Sequence, residues 1–154
     1  MIQTITFLGD YRFQVESLPE VIEELKPMFA ENHSETGIYD MPFNPDYDRF
    51  LDLAKANGLE FMTIRLEEKV VGYALFFIDY QIYQKDVLTA VQSLTYIDPG
   101  HRGIGYKFIK FCDDILEAFG IDSVWRQASS KKDISPIYKR LGYRLVEKTY
   151  LKEF

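Results

Sequence analysis

Arg102, Gly103, Gly105 and Lys107 lie close together in DPGHRGIGYKFIKFCDD, residues 98–114. A strand-like run, VLTAVQSLTYID, precedes them, and an apolar pattern at helical spacing follows in Phe108, Cys112, Ile115 and Phe119. The two cations therefore fall at a helix start. Aligned peptide dipoles already leave partial positive charge there, so each cation costs about 0.3 to 1 kcal/mol. A bound anion would reverse that balance. Free amides at a helix start bind phosphate, and glycines let it approach the backbone. The segment thus reads as a diphosphate site, with a tight connection and solvated cations as the plain alternative. Two other phosphate loops are excluded: G-x-G-x-x-G would need glycine at position 108, which is Phe, and no G-K-[ST] follows.

A second segment with chemical potential is SPIYKRLGY, residues 135–143, where Tyr138 precedes Leu141, Gly142 and Tyr143. In this order the two segments resemble the GNAT superfamily of acyl-CoA-dependent N-acetyltransferases. YIDPGHRGIGYKFIKF is similar to that family's strand, P-x-x-R-G, [QR]-x-x-G-x-[GA] loop and helix, with Arg102, Gly105 and Lys107 at its defined places. SPIYKRLGY is similar to the family's tyrosine ahead of Leu-Gly-aromatic. The likeness covers about residues 60–154.

What the resemblance implies is transfer of an acetyl group from acetyl-CoA, as cosubstrate and without a metal, to a primary amine of a small molecule or protein. The backbone of Thr95, Tyr96 and Ile97 would pair with the pantetheine arm. Amides from Arg102 through Gly103, Ile104, Gly105 and Tyr106 to Lys107 would bind the diphosphate. Tyr138 matches the family's general acid, which protonates the departing thiolate; a phenol of pKa about 10 gives its proton to a thiolate of about 8.5 only slightly uphill. Lys131 stands seven residues before Tyr138, where many members place an Asn that contacts the pantetheine. Lys107 replaces a small residue, and its side chain either snorkels outward or reaches a phosphate.

The acceptor amine must lose a proton before attack, at a cost of about 4 to 5 kcal/mol for a lysine-like pKa of about 10.4. Where family members often carry a carboxylate base, this chain has Gln92 or Ser93, and neither is a base at neutral pH. Gln92 is assigned to substrate binding or to ordering a water. Asp79 and Asp86 read as turn or surface acids, so no residue is assigned as base. The acceptor side is expected in the N-terminal part, where Glu31, Glu35, Tyr39, Asp40, Phe43, Asp46, Tyr47 and Asp48 crowd together. Such a lip, with Tyr39 and Asp40 as substrate contacts, would concentrate a cationic amine. Asp46 and Asp48 read equally as acids at a helix start.

The elements that must position these residues are legible in outline. YRFQVES alternates as a strand. VIEELKPMFAENHSE is an amphipathic helix that Pro27 kinks or splits, residues 36–48 form a loop, and DYDRFLDLAKANG is a second helix. LEFMTIRLEEKVVGYALFFIDYQIY is a hairpin turning at Glu67, Glu68 and Lys69. After the strand and helix around the glycine turn come a strand in IDSVWRQAS, a short helix in SPIYKRLG and a last strand in YRLVEKTYLKEF. The fold class is therefore α/β or α+β, a GNAT-like mixed but mostly antiparallel central sheet of about six strands flanked by about four helices. Where the family commonly has two strands after the closing signature there is room for one, which implies a truncated sheet or an edge completed in a homodimer.

Composition bounds the rest. The 154 residues are 47% hydrophobic and 16% aromatic, the expectation for a single domain over 1–154 with its own core. A net charge of −6 opposes nucleic-acid binding. Cys112, the single cysteine, reads as a buried reduced thiol, and no run is long and apolar enough for a membrane span, so the cytoplasm is the expected location. A reading from another class remains open: a GNAT-like binding module acting through a protein partner, motivated by the missing carboxylate and by Lys107 and Lys131.

Overall fold

The computed structural model describes residues 2–154. Its strands are β1 (Ile5–Leu8), β2 (Tyr11–Val15), β3 (Leu59–Leu66), β4 (Lys69–Tyr80), β5 (Leu88–Ile97) and β6 (Ser123–Trp125). The helices are α1 (Leu18–Thr36), α2 (Tyr47–Lys55), α3 (Gly105–Ala118) and α4 (Ser135–Arg140), with a 3-10 turn at Pro99–Ile104. The strands form one sheet in chain order, antiparallel from β1 to β5 and parallel between β5 and β6. A parallel pair needs a long crossover, and α3 is that crossover.

Strand alternation sorts the sheet's side chains into two apolar layers. Met62, Ile64, Ala74, Phe76 and Ala90 face Phe108, Cys112, Ile115 and Leu116 of α3. Phe61, Tyr73, Leu75 and Tyr96 face Leu25, Met28 and Phe29 of α1, with α2 packed beside them. Pro27 neither splits nor ends α1, which runs unbroken to Thr36. Leu25 before it and Met28 and Phe29 after it are all buried on the same stripe, and this packing outweighs the one backbone hydrogen bond that proline forgoes. Asp46 caps α2 by accepting from the Arg49 amide at 3.0 Å, the ordinary helix-start role.

The strand count of six conceals an exchange. YRLVEKTYLKEF is not a strand: residues 144–154 join no backbone hydrogen bond among the described residues, and Leu145 and Tyr150 are 77% and 87% exposed. A strand needs an edge to pair with, and β6, at three residues, offers little template. The sixth strand is instead β1, hairpin-paired with β2 around Gly9-Asp10. Gly9 lies at φ +59°, the conformation a two-residue hairpin turn demands, and a Gly-Asp pair between two alternating runs was the readable signal for it. The β3–β4 hairpin uses Glu67 and Glu68 at positive φ where glycine or asparagine is usual.

Gly72 of β4 has a packing role. A Cβ there would lie 2.8 Å from Ile64 Cδ1, 3.1 Å from the Tyr96 carbonyl oxygen and 3.3 Å from Ile97 Cγ1. The isoleucine tip can yield, but the β5 backbone cannot. We expect Gly72→Ala to destabilise the protein by about 1 to 3 kcal/mol in a urea titration, against the small gain an ordinary Gly→Ala change brings in a strand.

Candidate active site

The parallel pairing of β5 and β6 is short, running from Thr89–Ser123 to Val91–Trp125. Two residues further along β5, the register with β4 jumps from Gln92 to Leu94, which leaves Ser93 as a bulge. A bulge bends and twists its strand. From Gln92 onward β5 has no strand partner on the β6 side, because β6 ends at Trp125, and this end of pairing is the fork between the two strands. The hydroxyl of Thr95, on this forked stretch, is buried without a hydrogen-bond partner. Buried polar groups are nearly always paired, and the Arg12 Nε is the other exception among the described residues. Tyr96 turns the other way, into the α1 layer, and donates its phenol proton to Glu31 Oε2 at 3.2 Å. Burial, with Glu31 nearby, pushes that phenol up to about 12.

The end of β5 leads into the 3-10 turn and α3. Gly103 is exposed and a Cβ there would meet nothing within 4 Å, so the backbone beside it is open. Neither Gly103 nor Gly105 is at positive φ, so backbone conformation does not require glycine at either position. The Gly105 amide is engaged by the Arg102 carbonyl. Arg102 does not hang free over the helix start. Its Nε donates to the Ile97 carbonyl at 2.9 Å, and its Nη2 meets both oxygens of Glu35 at 2.7 Å. Glu35 also receives Lys132 Nζ at 3.3 Å. The charge that is wrong for a helix start is thus answered by a carboxylate from α1. Lys107 is exposed, with no carboxylate in salt-bridge range among the described residues. Tyr106 lies beneath the Arg140 guanidinium, 4.5 Å from its ring centre, and Ile104 packs against the α3 layer.

At the root of the fork, Tyr138 and Gln92, expected separately, come together. Tyr138 is 6% exposed, and its phenol oxygen lies 3.1 Å from the Gln127 carbonyl and 3.3 Å from Gln92 Oε1. Burial raises the phenol above its ordinary value, opposed by the cation of Arg126. Gln92 itself is buried, and its oxygen accepts from Arg126 Nη1 at 2.7 Å. Cys112 is fully buried, its thiol pushed up to about 12 by desolvation, as expected of a core cysteine. Lys131 Nζ is exposed and donates to the Gly37 carbonyl at the end of α1, so the segment between β6 and α4 is strapped to α1.

A family model described as the acetyltransferase (GNAT) family matches residues 18–143. The chain belongs to the GNAT acetyltransferase family. Its match reaches well into the N-terminal part, beyond the two motifs. Solved structures share the GNAT fold at low sequence identity. A ribosomal-protein-alanine N-acetyltransferase from Brucella melitensis biovar Abortus 2308 is 17% identical, with a TM-score of 0.74 over 94% of this chain and 97% of that one. An aminoglycoside acetyltransferase from an uncultured soil metagenomic sample, in complex with trehalose, is 20% identical, with a TM-score of 0.69 over 95% of each chain. A predicted acetyltransferase with acetyl-CoA from Clostridium acetobutylicum is 14% identical, with a TM-score of 0.66 over 93% of this chain and 96% of that one. Among curated proteins none matches.

Other expected positions of this GNAT protein remain apart. Tyr39 and Asp40 are exposed, and neither hydrogen-bonds to Gln92 or Tyr138. The Asp40 amide faces Glu153 Oε1 at 3.4 Å. Two clefts of about 370 and 400 Å³ lie beside Glu60, one toward the start of α1 and one toward the end of α3. Neither is lined by any residue of β5 from Gln92 to Ile97. No helix is long and apolar enough to cross a membrane, and no metal-ligating group of three His, Cys, Asp or Glu forms among the described residues. Sequence reasoning missed Arg126 and Asp113, and placed Tyr143 only as the aromatic of the closing motif. The signal was present in Arg126, a cation directly after an apolar strand, and in Asp113, an acid beside Cys112 on the buried side of α3.

Proposed function

We propose that residues 1–154 form a single N-acetyltransferase domain that moves an acetyl group from acetyl-CoA to a primary, cationic amine of a small molecule or protein in the cytoplasm. The observation that carries the reading is the fork of β5 and β6, with an unpartnered polar atom on its wall and a buried tyrosine at its root. When bound, acetyl-CoA supplies the activated thioester. Thr95, Tyr96 and Ile97 offer the forked edge of β5 to the pantetheine arm, and the Thr95 hydroxyl fits its polar groups. The open backbone at Gly103 and the free ammonium of Lys107 suit the diphosphate. Tyr138 gives its proton to the departing thiolate. Its hydroxyl faces neutral carbonyl oxygens, and a thiolate, being charged, is the stronger acceptor.

A cationic acceptor is supported by Glu31 and the exposed Asp40 near the end of α1, since Glu35 is already answered by Arg102 and Lys132. The aminoglycoside acetyltransferase neighbour in complex with sisomicin is consistent with an amine acceptor. The second reading, a binding module without turnover, is favoured by one observation: the Tyr138 proton points inward, to Gln92 and Gln127. Calorimetric titration with acetyl-CoA, followed by thiol release with a panel of amines, separates the two. Binding with amine-dependent thiol release supports the enzyme; binding with release at background supports the module, and absence of binding at millimolar ligand sinks transfer. In the same titration, Lys107→Glu is expected to weaken acetyl-CoA about tenfold, the loss of one charge-assisted contact. Unchanged affinity would mean that Lys107 extends into solvent away from the diphosphate.

A further inference from the structure

The guanidinium of Arg126 is the central group of a buried polar cluster, with its side chain 1% exposed. Its Nη2 donates to Asp113 Oδ1 at 2.6 Å, its Nε to the Tyr143 hydroxyl at 2.9 Å and its Nη1 to Gln92 Oε1 at 2.7 Å. Tyr143 in turn donates to Asp113 Oδ1 at 2.7 Å. The cation lies 5.7 Å from the Tyr138 ring centre and 5.1 Å from that of Phe76. Burying a cation in a core is costly, and a packed apolar side chain serves stability as well or better. The fold therefore does not explain Arg126.

Its position does. An arginine has donors only, so Gln92 must turn its oxygen toward Arg126, and the same oxygen faces the Tyr138 phenol. Gln92 is thereby fixed as an acceptor and cannot donate to a phenolate. The groups that face Tyr138 are Gln92 from β5, Arg126 and the Gln127 carbonyl from the segment after β6, Asp113 from α3, and Tyr143 from the chain after α4. Among them Arg126 carries the positive charge and Asp113 the negative. We infer that Arg126 is a positioning residue for acetyl transfer: it turns the Gln92 oxygen to hold the Tyr138 proton in place, and its charge, not Gln92, makes the phenolate tolerable once that proton has gone to sulfur.

This rests on Tyr138 as the acid. In the step, the amine nitrogen bonds to the thioester carbon, the carbon–sulfur bond breaks, and the sulfur takes the Tyr138 proton. The proton shed by nitrogen leaves to solvent, and solvent returns one to the phenolate. Arg126 and Asp113 should therefore act on Tyr138 with opposite signs. Arg126→Met is expected to move the alkaline limb of the kcat profile up by at least about one pH unit, and Asp113→Asn to move it down, because a charge within a few ångströms shifts a neighbour by about 1 to 3 units. Arg126→Lys, which keeps the charge, should restore the limb toward the parent. Should Arg126→Met fail to fold, Arg126→Gln, which also removes the charge, takes its place opposite Asp113→Asn.

Phenolate absorbance, read as the difference between each protein and its Tyr138→Phe counterpart, follows the same titration without turnover. Opposite shifts in both readouts support the inference. Transfer activity with no shift, or with shifts in one direction, overturns it and leaves the acetyltransferase reading standing. Opposite absorbance shifts in a protein that transfers no acetyl group overturn the role in transfer together with that reading.

Discussion

Tyr138→Phe is expected to lower kcat about 100-fold or more while leaving the KM for acetyl-CoA nearly unchanged. A positioned general acid is worth about 10² to 10⁴ in rate, and the substitution removes the acid while keeping the ring. The ring is what packs: Tyr138 is buried, 5.7 Å from Tyr143, and its backbone carbonyl closes the end of α4 by accepting from Leu141 and Tyr143. Neither acceptor of the phenol is stranded by its loss. Gln92 Oε1 keeps Arg126, and Gln127 is itself exposed. Stability should therefore change little, which separates a chemical loss from a structural one. Affinity should hold too, because the phenol is engaged with Gln92 and Gln127 and the substitution removes no charge. Single-turnover measurements at saturating amine check the chemical step directly, and unchanged turnover would remove Tyr138 from the mechanism.

Arg65→Met is expected to cost about 3 to 5 kcal/mol of stability, the range found when one member of a buried ion pair is deleted and the other is left behind. Arg65 is 10% exposed on its side chain and Glu16 14%, with nitrogen to oxygen distances of 3.0 Å, and Glu24 joins at 3.2 Å. Arg65 also donates to the Glu68 carbonyl, bracing the β3–β4 turn whose Glu67 and Glu68 sit at positive φ. Desolvation pushes the Glu16 carboxyl up, but the bonds from Arg65, Thr63 and Gln14 together outweigh it and hold the carboxyl below its ordinary value. A carboxyl depressed in the folded state stabilises fully above its unfolded value. That contribution is lost as pH falls through the ordinary carboxylate range toward the folded one. Urea midpoints measured from neutral pH down to about 3 should therefore fall, and Glu16→Gln should flatten that slope. An unchanged slope would assign the acid sensitivity to other groups.

The residues that were easiest to read were those whose spacing follows a single element. The stripe Phe108, Cys112, Ile115 of α3 and the hairpin at Glu67-Glu68 appear where the pattern places them, because a helix face and a two-residue turn are local. β1 is equally local, and Gly9-Asp10 between two short alternating runs carries its signal. The tail was misread for the opposite reason. YRLVEKTYLKEF has strand composition, but pairing is a property of the edge it meets, and the three-residue β6 lies far from it in any local pattern.

By itself, then, the amino-acid order determined the family motifs, the glycine turn ahead of α3, the apolar stripes of α1 and α3 and the candidate acid Tyr138. Each depends on residues within a turn or two of one another. Tertiary structure alone decided who answers whom. Glu35, far away on α1, neutralises Arg102, so the cation that looked reserved for a diphosphate already holds α1 to β5. Gln92, Asp113 and Arg126 come from β5, α3 and the chain after β6, and meet around Tyr138. Charge pairing and burial act through space over a few ångströms, and sequence separation carries no record of which groups the fold will bring within that reach.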